Sequence, residues 1–444
     1  LVLYFESPGN PGLSCLFWFS SCAFEYAVYL LHEITYNRTF LSCNKDLKCA
    51  GIKFMTESTV VFTQLSSGEE AGIQLGTKIN EKFSSYPPDV VIIFASSIYQ
   101  YDALLAALKK TSNPKLIVGG SSAGEFTGQD FRTDSACAVA IYSDEMTFNA
   151  GVAEGIQGSR QHVANELHTY LSLPNLEDHK YQYHSAMIFA DALSGFTDEL
   201  IGMLTELTTG EYQFFGGGAG DNAKFLRTHV FFNGKSYTDA AVVLEIRSNK
   251  PVGIGISHGW QPISKKMRVT AAEGRRLISL NARPAVEVYK QHALDTGTIF
   301  DIEQPIPFFL NNIIGIEIAG GYKLRAPIGL EPDGTIILAS DIPVGTSVYI
   351  MGSTSELSKG AAVDATLNAI AQLGEYKPNV AIFFDCVATR LRMGSEFELE
   401  LDDVSDTLDG AAFVGCNTYG QVARVNGQFS GFQNCSAVVC IIPN

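Results

Sequence analysis

The residues with the most chemical capacity stand at the ends of apolar runs. Three glycine-rich turns each finish on a polar side chain: KLIVGGSSAGEF at 115–126 reaches Glu125, QFFGGGAGD at 213–221 ends in Asp221, and AAFVGCNTYGQ at 411–421 ends in Gln421. Exposed amides in such turns could hold a carboxylate or phosphate. The plainer alternative is that glycine is there only because the turn needs positive φ. Set without gaps, Gly124, Gly220 and Gly420 coincide, and so do Glu125, Asp221 and Gln421. On the same comparison Ser96, Asp191 and Asp385 share one strand end, followed by Ser97, Ala192 and Cys386. In DCVATR, Asp385, Cys386 and Arg390 would bind an anionic group or form an activated thiolate, or else be a structural Asp–Arg pair beside a core thiol. His258, in SHGW beside Trp260, is the histidine whose neighbours suggest a cleft. A lone histidine is more often a hydrogen-bonded structural residue.

Gly120-Ser121-Ser122-Ala123-Gly124 matches the nucleophile-elbow pattern, but an elbow leads into a helix and EFTGQDFRTDS does not read as one. The counterpart of Ser122 in the second turn is Gly218, so no serine nucleophile is expected. No turn carries Gly-Lys-Ser/Thr or G-x-G-x-x-G before a helix, which argues against nucleotide binding.

The elements around these turns repeat as β-α-β-α-β-β. The first unit reads as strand 58–64, a helix to 83, strand 89–97, helix 101–110 and the first turn. The second has strand 147–155, helix 159–171, strand 185–191, helix 198–207 and the second turn. The third is expected to begin with strand 346–353 and continue with helix 356–373, strand 379–386 and the last turn. Asn233-Gly234 and Asn426-Gly427 lie between apolar runs and signal hairpins. A proline-bearing, β-rich region fills 248–345. The predicted fold is α/β, with threefold-repeated units forming mixed sheets flanked by helices, in two lobes. The predicted domains are 55–285, with two units, and 286–444, with the β-rich insert and the third unit. Residues 1–54 read as an extension of doubtful nativeness, with Met55 starting the functional chain.

The chain has 444 residues, a net charge of −16 and no basic cluster, which makes nucleic acid and anionic membrane poor partners. Residues 12–31 have the length of a membrane span, but they carry Glu25 and lack a basic flank, so membrane attachment is not expected. Nine cysteines without a C-x-x-C pair read as reduced thiols of a cytoplasmic protein, with no metal site.

IVGGSSAGEF, then GGGAGD with HVFFNGKSYTDAAVVLEI, then SHGW with VTAAEGRRLISLNARPAVEVY, is similar to the N-terminal half of a FIST (F-box and intracellular signal transduction) sensory module. FFDCVATR and VGCNTYGQVARVNGQFSGFQNCSAVV resemble its C-terminal half. The resemblance runs from about residue 58 to the end. It implies a non-catalytic sensor of a small polar metabolite such as an amino acid. With no kinase, cyclase or receiver domain in the chain, it also implies a separate output protein. One bacterial branch senses nitric oxide through haem, for which His258 would be the axial ligand here. The matching positions are Gly119, Gly120, Gly124 and Glu125; Gly216, Gly217, Gly220 and Asp221; His258, Gly259 and Trp260; Cys386 and Arg390; Tyr419, Gly420 and Asn434. Gln421 stands where the family has glutamate, and Phe432-Gln433-Asn434 replaces aromatic-His-Asn. The expected pocket lies between the halves and is lined by Ser121, Ser122, Glu125, Asp191, Gly217, Gly218, Asp221, His258, Asp385, Cys386, Arg390, Asn417, Thr418, Tyr419 and Asn434. The alternative is an enzyme with Asp191, Asp221 or Glu125 as acid/base and Cys386 as nucleophile.

Overall fold

Uninterrupted apolar runs such as VVIIFAS become central strands buried on both faces, and the first two copies arrange them identically. In the first, Val90–Ser96 lies parallel to Leu116–Ser122 and antiparallel to Ala136–Ser143, which pairs in turn with Thr56–Thr63. Tyr183–Ala190, Gln213–Gly218, Ala240–Ser248 and Met146–Glu154 repeat that order in the second. This computed structural model describes residues 55–171, 181–424 and 431–444, and the backbone of an antiparallel pair, Val2–Glu6 with Ser14–Trp18. The chain divides into two compact units, Leu1–Lys53 and Phe54–Asn444. The hairpin expected at Asn426-Gly427 lies outside the described residues. The one at Asn233-Gly234 joins Val230–Phe232 to Lys235–Tyr237.

The third copy corrects the sequence reading. Its first strand is Gly253–Ser257, which pairs with Ala437–Pro443 as Thr56–Thr63 pairs with Ala136–Ser143. Ser347–Gly352, the expected first strand, belongs to a separate antiparallel sheet built from residues 261–352. That sheet, with helix Ala285–Thr296, is inserted between the true first strand and helix Ser355–Gln372. GIGIS is short and glycine-bearing and so a weak strand signal, whereas SVYIMG carries β-branched and aromatic residues. The glycines of the true strand admit the helix: a Cβ at Gly255 would lie 1.8 Å from the Ala365 carbonyl oxygen, and one at Gly253 2.1 Å from that of Ala369.

Hairpins exchanged in a cycle join the copies. Val230–Phe232 of the second extends the first sheet beside Leu116–Ser122, Gln421–Arg424 of the third extends the second sheet, and Glu125–Thr127 of the first extends the third. Phe94, Phe189 and Phe384 hold equivalent places on the three central strands and meet with ring centroids 5.6, 5.6 and 6.2 Å apart. This triangle marks the pseudo-threefold axis. It also shifts the strand-end comparison by one residue in the third copy: Ser96, Asp191 and Cys386 correspond, and Asp385 falls with Ala95 and Ala190.

The first helix of each copy is capped by a hydroxyl, Ser67, Ser159 or Thr354, which accepts a first-turn amide. The second helices of copies one and two, Tyr101–Ser112 and Thr197–Leu207, begin at a strand end with no side-chain cap. Among the described residues no helix is long and apolar enough to cross a membrane.

Candidate functional site

The three glycine turns converge at a packed joint. Gly220 N–H donates to the Ser121 carbonyl (2.8 Å), Ala123 N–H to that of Asn417 (2.9 Å), Asn417 N–H to that of Gly124 (2.8 Å), and Gly218 N–H to that of Gly420 (2.9 Å). These backbone groups satisfy one another, and Ser121, Ser122, Gly217, Gly218, Asn417 and Thr418 are all buried here. Glu125 is fully buried and accepts the hydroxyls of Ser122 (2.5 Å) and Ser135 (2.8 Å), while burial pushes its pKa up to about 8. Gln421 donates to the Thr418 hydroxyl (2.9 Å) and accepts the Ser436 amide (3.2 Å).

Asp221 is not the counterpart of Glu125 and Gln421. Glu125 lies opposite Cys416 and Gln421 opposite Gly217, but the corresponding place opposite Gly120 belongs to Val230. The second copy inserts a loop, 221–229, which an ungapped comparison cannot register. Asp221 organises that loop by accepting the amides of Phe225 (2.8 Å), Leu226 (2.7 Å) and Arg227 (2.9 Å) and the Tyr419 hydroxyl. Asp191 holds the far side by accepting the amides of Leu193 (3.1 Å) and Asp239 (2.6 Å) and the Thr228 hydroxyl. His258 donates through Nε2 to the Tyr322 carbonyl (3.2 Å) and accepts the Trp260 amide at Nδ1 (3.4 Å), and burial lowers its pKa. Asp385 accepts the Asn417 side-chain amide (3.4 Å), and its pKa is raised by burial and then by the charge of Glu400. Arg390, also lowered by burial, is drawn first towards Glu125 and then towards Tyr419 and Asp385.

Beside this joint opens a cavity of about 850 Å3, where strand ends of the second and third copies face the insert. Phe196 and Thr197 come from the second copy, and Cys386, Ala388 and Leu391 from the third. Ile306, Phe309, Leu310 and Ile313 come from the insert, and Phe225, Tyr419 and Phe432 close one side. The polar lining is sparse. Asp198 is held by Lys323 (2.7 Å) and Arg325 (3.0 Å), and Asn434 accepts the Ala326 amide (3.4 Å). Of the fifteen residues expected in a pocket, Cys386, Tyr419 and Asn434 line this one, Asp221 lines a second opening, and the other eleven line neither. Sequence reasoning missed the apolar lining. Phe225 in a loop and Phe196 after Gly195 were the available signals, since both are exposed and belong to one apolar patch.

Cys386 holds the strand-end place at which Ser96 accepts the Ile98 amide (3.3 Å) and Asp191 accepts the Leu193 amide. The Cys435 thiol bonds to its sulfur and lowers its pKa to about 6 against the opposing effect of burial, helped by the amides of Ala388 and Cys435 and by Gln421. The same contact, with burial, pushes Cys435 up. Neither is in a disulfide. Cys386, its pKa lowered by the thiol beside it, thus sits in the wall of an apolar cavity.

Family models match along most of this chain: a FIST N domain at residues 89–283 and a FIST C domain at 285–424. The chain belongs to the FIST family. FIST domains are sensory domains of signal transduction. This FIST chain is 23% identical over 313 residues to an uncharacterised protein of Methanocaldococcus jannaschii, covering 66% of this chain and 59% of that one. It is 21% identical over 377 residues to an uncharacterised protein of Mycobacterium tuberculosis, covering 80% of this chain and 92% of that one. A chorismatase crystal structure aligns with 88% of this chain and 100% of its own, at a TM-score of 0.35 and 8% identity, a likeness too slight to bear on function.

Proposed function

We propose that this FIST protein is a sensor that binds a small metabolite in the cavity beside Cys386 and signals through a separate output protein. The cavity carries this reading: at about 850 Å3 it has the size of a small-molecule site, and it combines apolar walls with a few convergent polar groups. Phe196, Phe309, Ile313 and Leu391 suit an apolar body, and Asn434, Ser340 and Asp341 suit a polar head. An amino acid with a large apolar side chain fits both. One wall belongs to the repeats and another to the insert, so an occupant would bridge the two and alter the surface offered to a partner. A thermal-shift screen of amino acids and small carboxylates tests the reading. Apolar amino acids should raise the melting temperature of the wild type and less that of Leu391→Trp, which intrudes on the cavity. A flat screen would defeat the proposal.

One feature favours a thiol enzyme as the second reading: Cys386, its pKa lowered by the Cys435 thiol, lines the cavity. The acid/base candidates do not assist it, since Asp191, Asp221 and Glu125 are bound to amides or hydroxyls and none lines this cavity. Cys386→Ser that retains ligand binding would support the sensor over the enzyme. His258 does not fit as the ligand of a haem in this cavity, because it has both ring nitrogens engaged and lies outside the lining.

A further inference from the structure

A second opening, about 670 Å3, lies at the end of the first copy's central strand, between the start of helix Tyr101–Ser112 and the loop 221–229. Gln100 occupies the N-cap and offers no side chain to the first-turn amides, and the first-turn residues Tyr101, Asp102 and Ala103 line the cleft. An uncapped helix start is common and by itself marks nothing. Here two side chains on the same walls also carry buried polar atoms without a partner. Tyr99 lines the cleft with 5% of its surface exposed, and its hydroxyl has no partner. His229 lines it too, with a buried Nδ1 that has none and a ring packed 4.9 Å from that of Tyr101.

The opposite wall brings positive charge. Lys224 reaches the Ser97 hydroxyl at 3.1 Å, and Arg227 lies near enough to His229 to add to the effect of burial in keeping that imidazole neutral. Two carboxylates also border the cleft, and both are occupied. Asp102 accepts the amide (2.9 Å) and hydroxyl (2.8 Å) of Ser236, and Asp221 accepts its loop amides. The donors on these walls are the amides at the positive end of a helix, the buried Tyr99 phenol, the Lys224 ammonium, which also meets the Ser97 hydroxyl, and the Arg227 guanidinium. Their complement is a compact acceptor carrying negative charge.

We propose that this cleft binds a small oxyanion, a carboxylate or phosphate, against the start of helix Tyr101–Ser112. The site is separate from the apolar cavity and does not depend on the function proposed for it. The full chain is titrated with inorganic phosphate and, in a parallel arm, with acetate, against sodium chloride at equal ionic strength, with melting temperature as the readout. A saturable rise with either probe beyond chloride supports the site, and the stronger arm identifies the source chemistry. The rise should need about tenfold more probe in Lys224→Met/Arg227→Met, whose side chains are exposed and whose loss spares the core. Tyr99→Phe should weaken it about threefold, and Leu391→Trp should leave it intact. No rise beyond chloride with either probe, or a rise undiminished in both the double variant and Tyr99→Phe, overturns the proposal.

Discussion

The cleft at Tyr99 and the cavity at Cys386 grow from matching strand ends in two copies of one unit, yet the cleft has mostly polar walls and the cavity mostly hydrocarbon ones. The backbone contributes the same thing to each, a strand end that opens at the start of a helix. What differs is the cover. Over the third copy the insert places Ile306, Phe309 and Ile313, whereas over the first copy the loop 221–229 places Lys224 and Arg227. That loop is a wall common to both openings: Lys224, Leu226 and Arg227 face the cleft, while Ala223 and Phe225 face the cavity. Phe225 stacks on Tyr419 with centroids 4.5 Å apart. The repeat supplies sites, and the segments added between its strands decide their chemistry.

The largest expected effect separates the two regions. Phe309→Ala removes a ring with 1% of its surface exposed from the roof of the cavity and should cost about 3–5 kcal/mol in denaturant unfolding. Binding of apolar amino acids should be lost and the phosphate response kept. Loss of both would mean that cleft and cavity are not independent. Tyr419→Phe acts on the common wall instead, by deleting the hydroxyl donor to buried Asp221, at a cost of about 1–3 kcal/mol. Unchanged stability would show that the loop amides alone fix Asp221.

The third copy's helix Phe397–Thr407 should respond to pH. Glu400 is fully buried, has no hydrogen-bond partner for either carboxyl oxygen, and has its pKa raised to about 8, chiefly by burial. The folded state therefore holds this proton more tightly than the unfolded chain, where the ordinary value is 4.5. Its contribution is complete below that value and is lost as pH rises towards 8, a slope of about 1 kcal/mol per pH unit within the window. Glu400→Gln should flatten that slope in melts between pH 5 and 8.5, and an unaltered slope would assign it elsewhere. Alkylation of Cys386 by iodoacetamide should rise through an inflection near pH 6 and slow when the cavity is occupied. An inflection above pH 8 would remove the thiolate from that wall. The smallest effect belongs to the cleft: Lys224→Met, on an exposed side chain, should change stability by no more than about 0.5 kcal/mol while weakening the phosphate response.

Much of the molecule is legible along the chain. The buried central strands announce themselves as apolar runs, the hydroxyl-capped helices by serine or threonine at their starts, and the hairpin at Asn233-Gly234 by its turn pair. The loop that displaces Asp221 from the register of Glu125 was not legible, because one apolar strand followed by glycines looks the same with or without an insertion after it. Nor was the strand Gly253–Ser257, whose glycines exist to admit a helix about a hundred residues downstream.

By itself the sequence determined the unit: the alternation of strands and helices, its return three times, the glycine turns and the cysteine at the third strand end. These are local properties, set by periodicity, capping and the conformations that glycine allows. Only the tertiary structure decided which hairpin joins which sheet, and hence that Glu125, Asp221 and Gln421 are buried brackets while Cys386 faces a cavity. Strand pairing across copies depends on register between segments far apart in the chain, and a one-residue shift there exchanges the buried face for the open one.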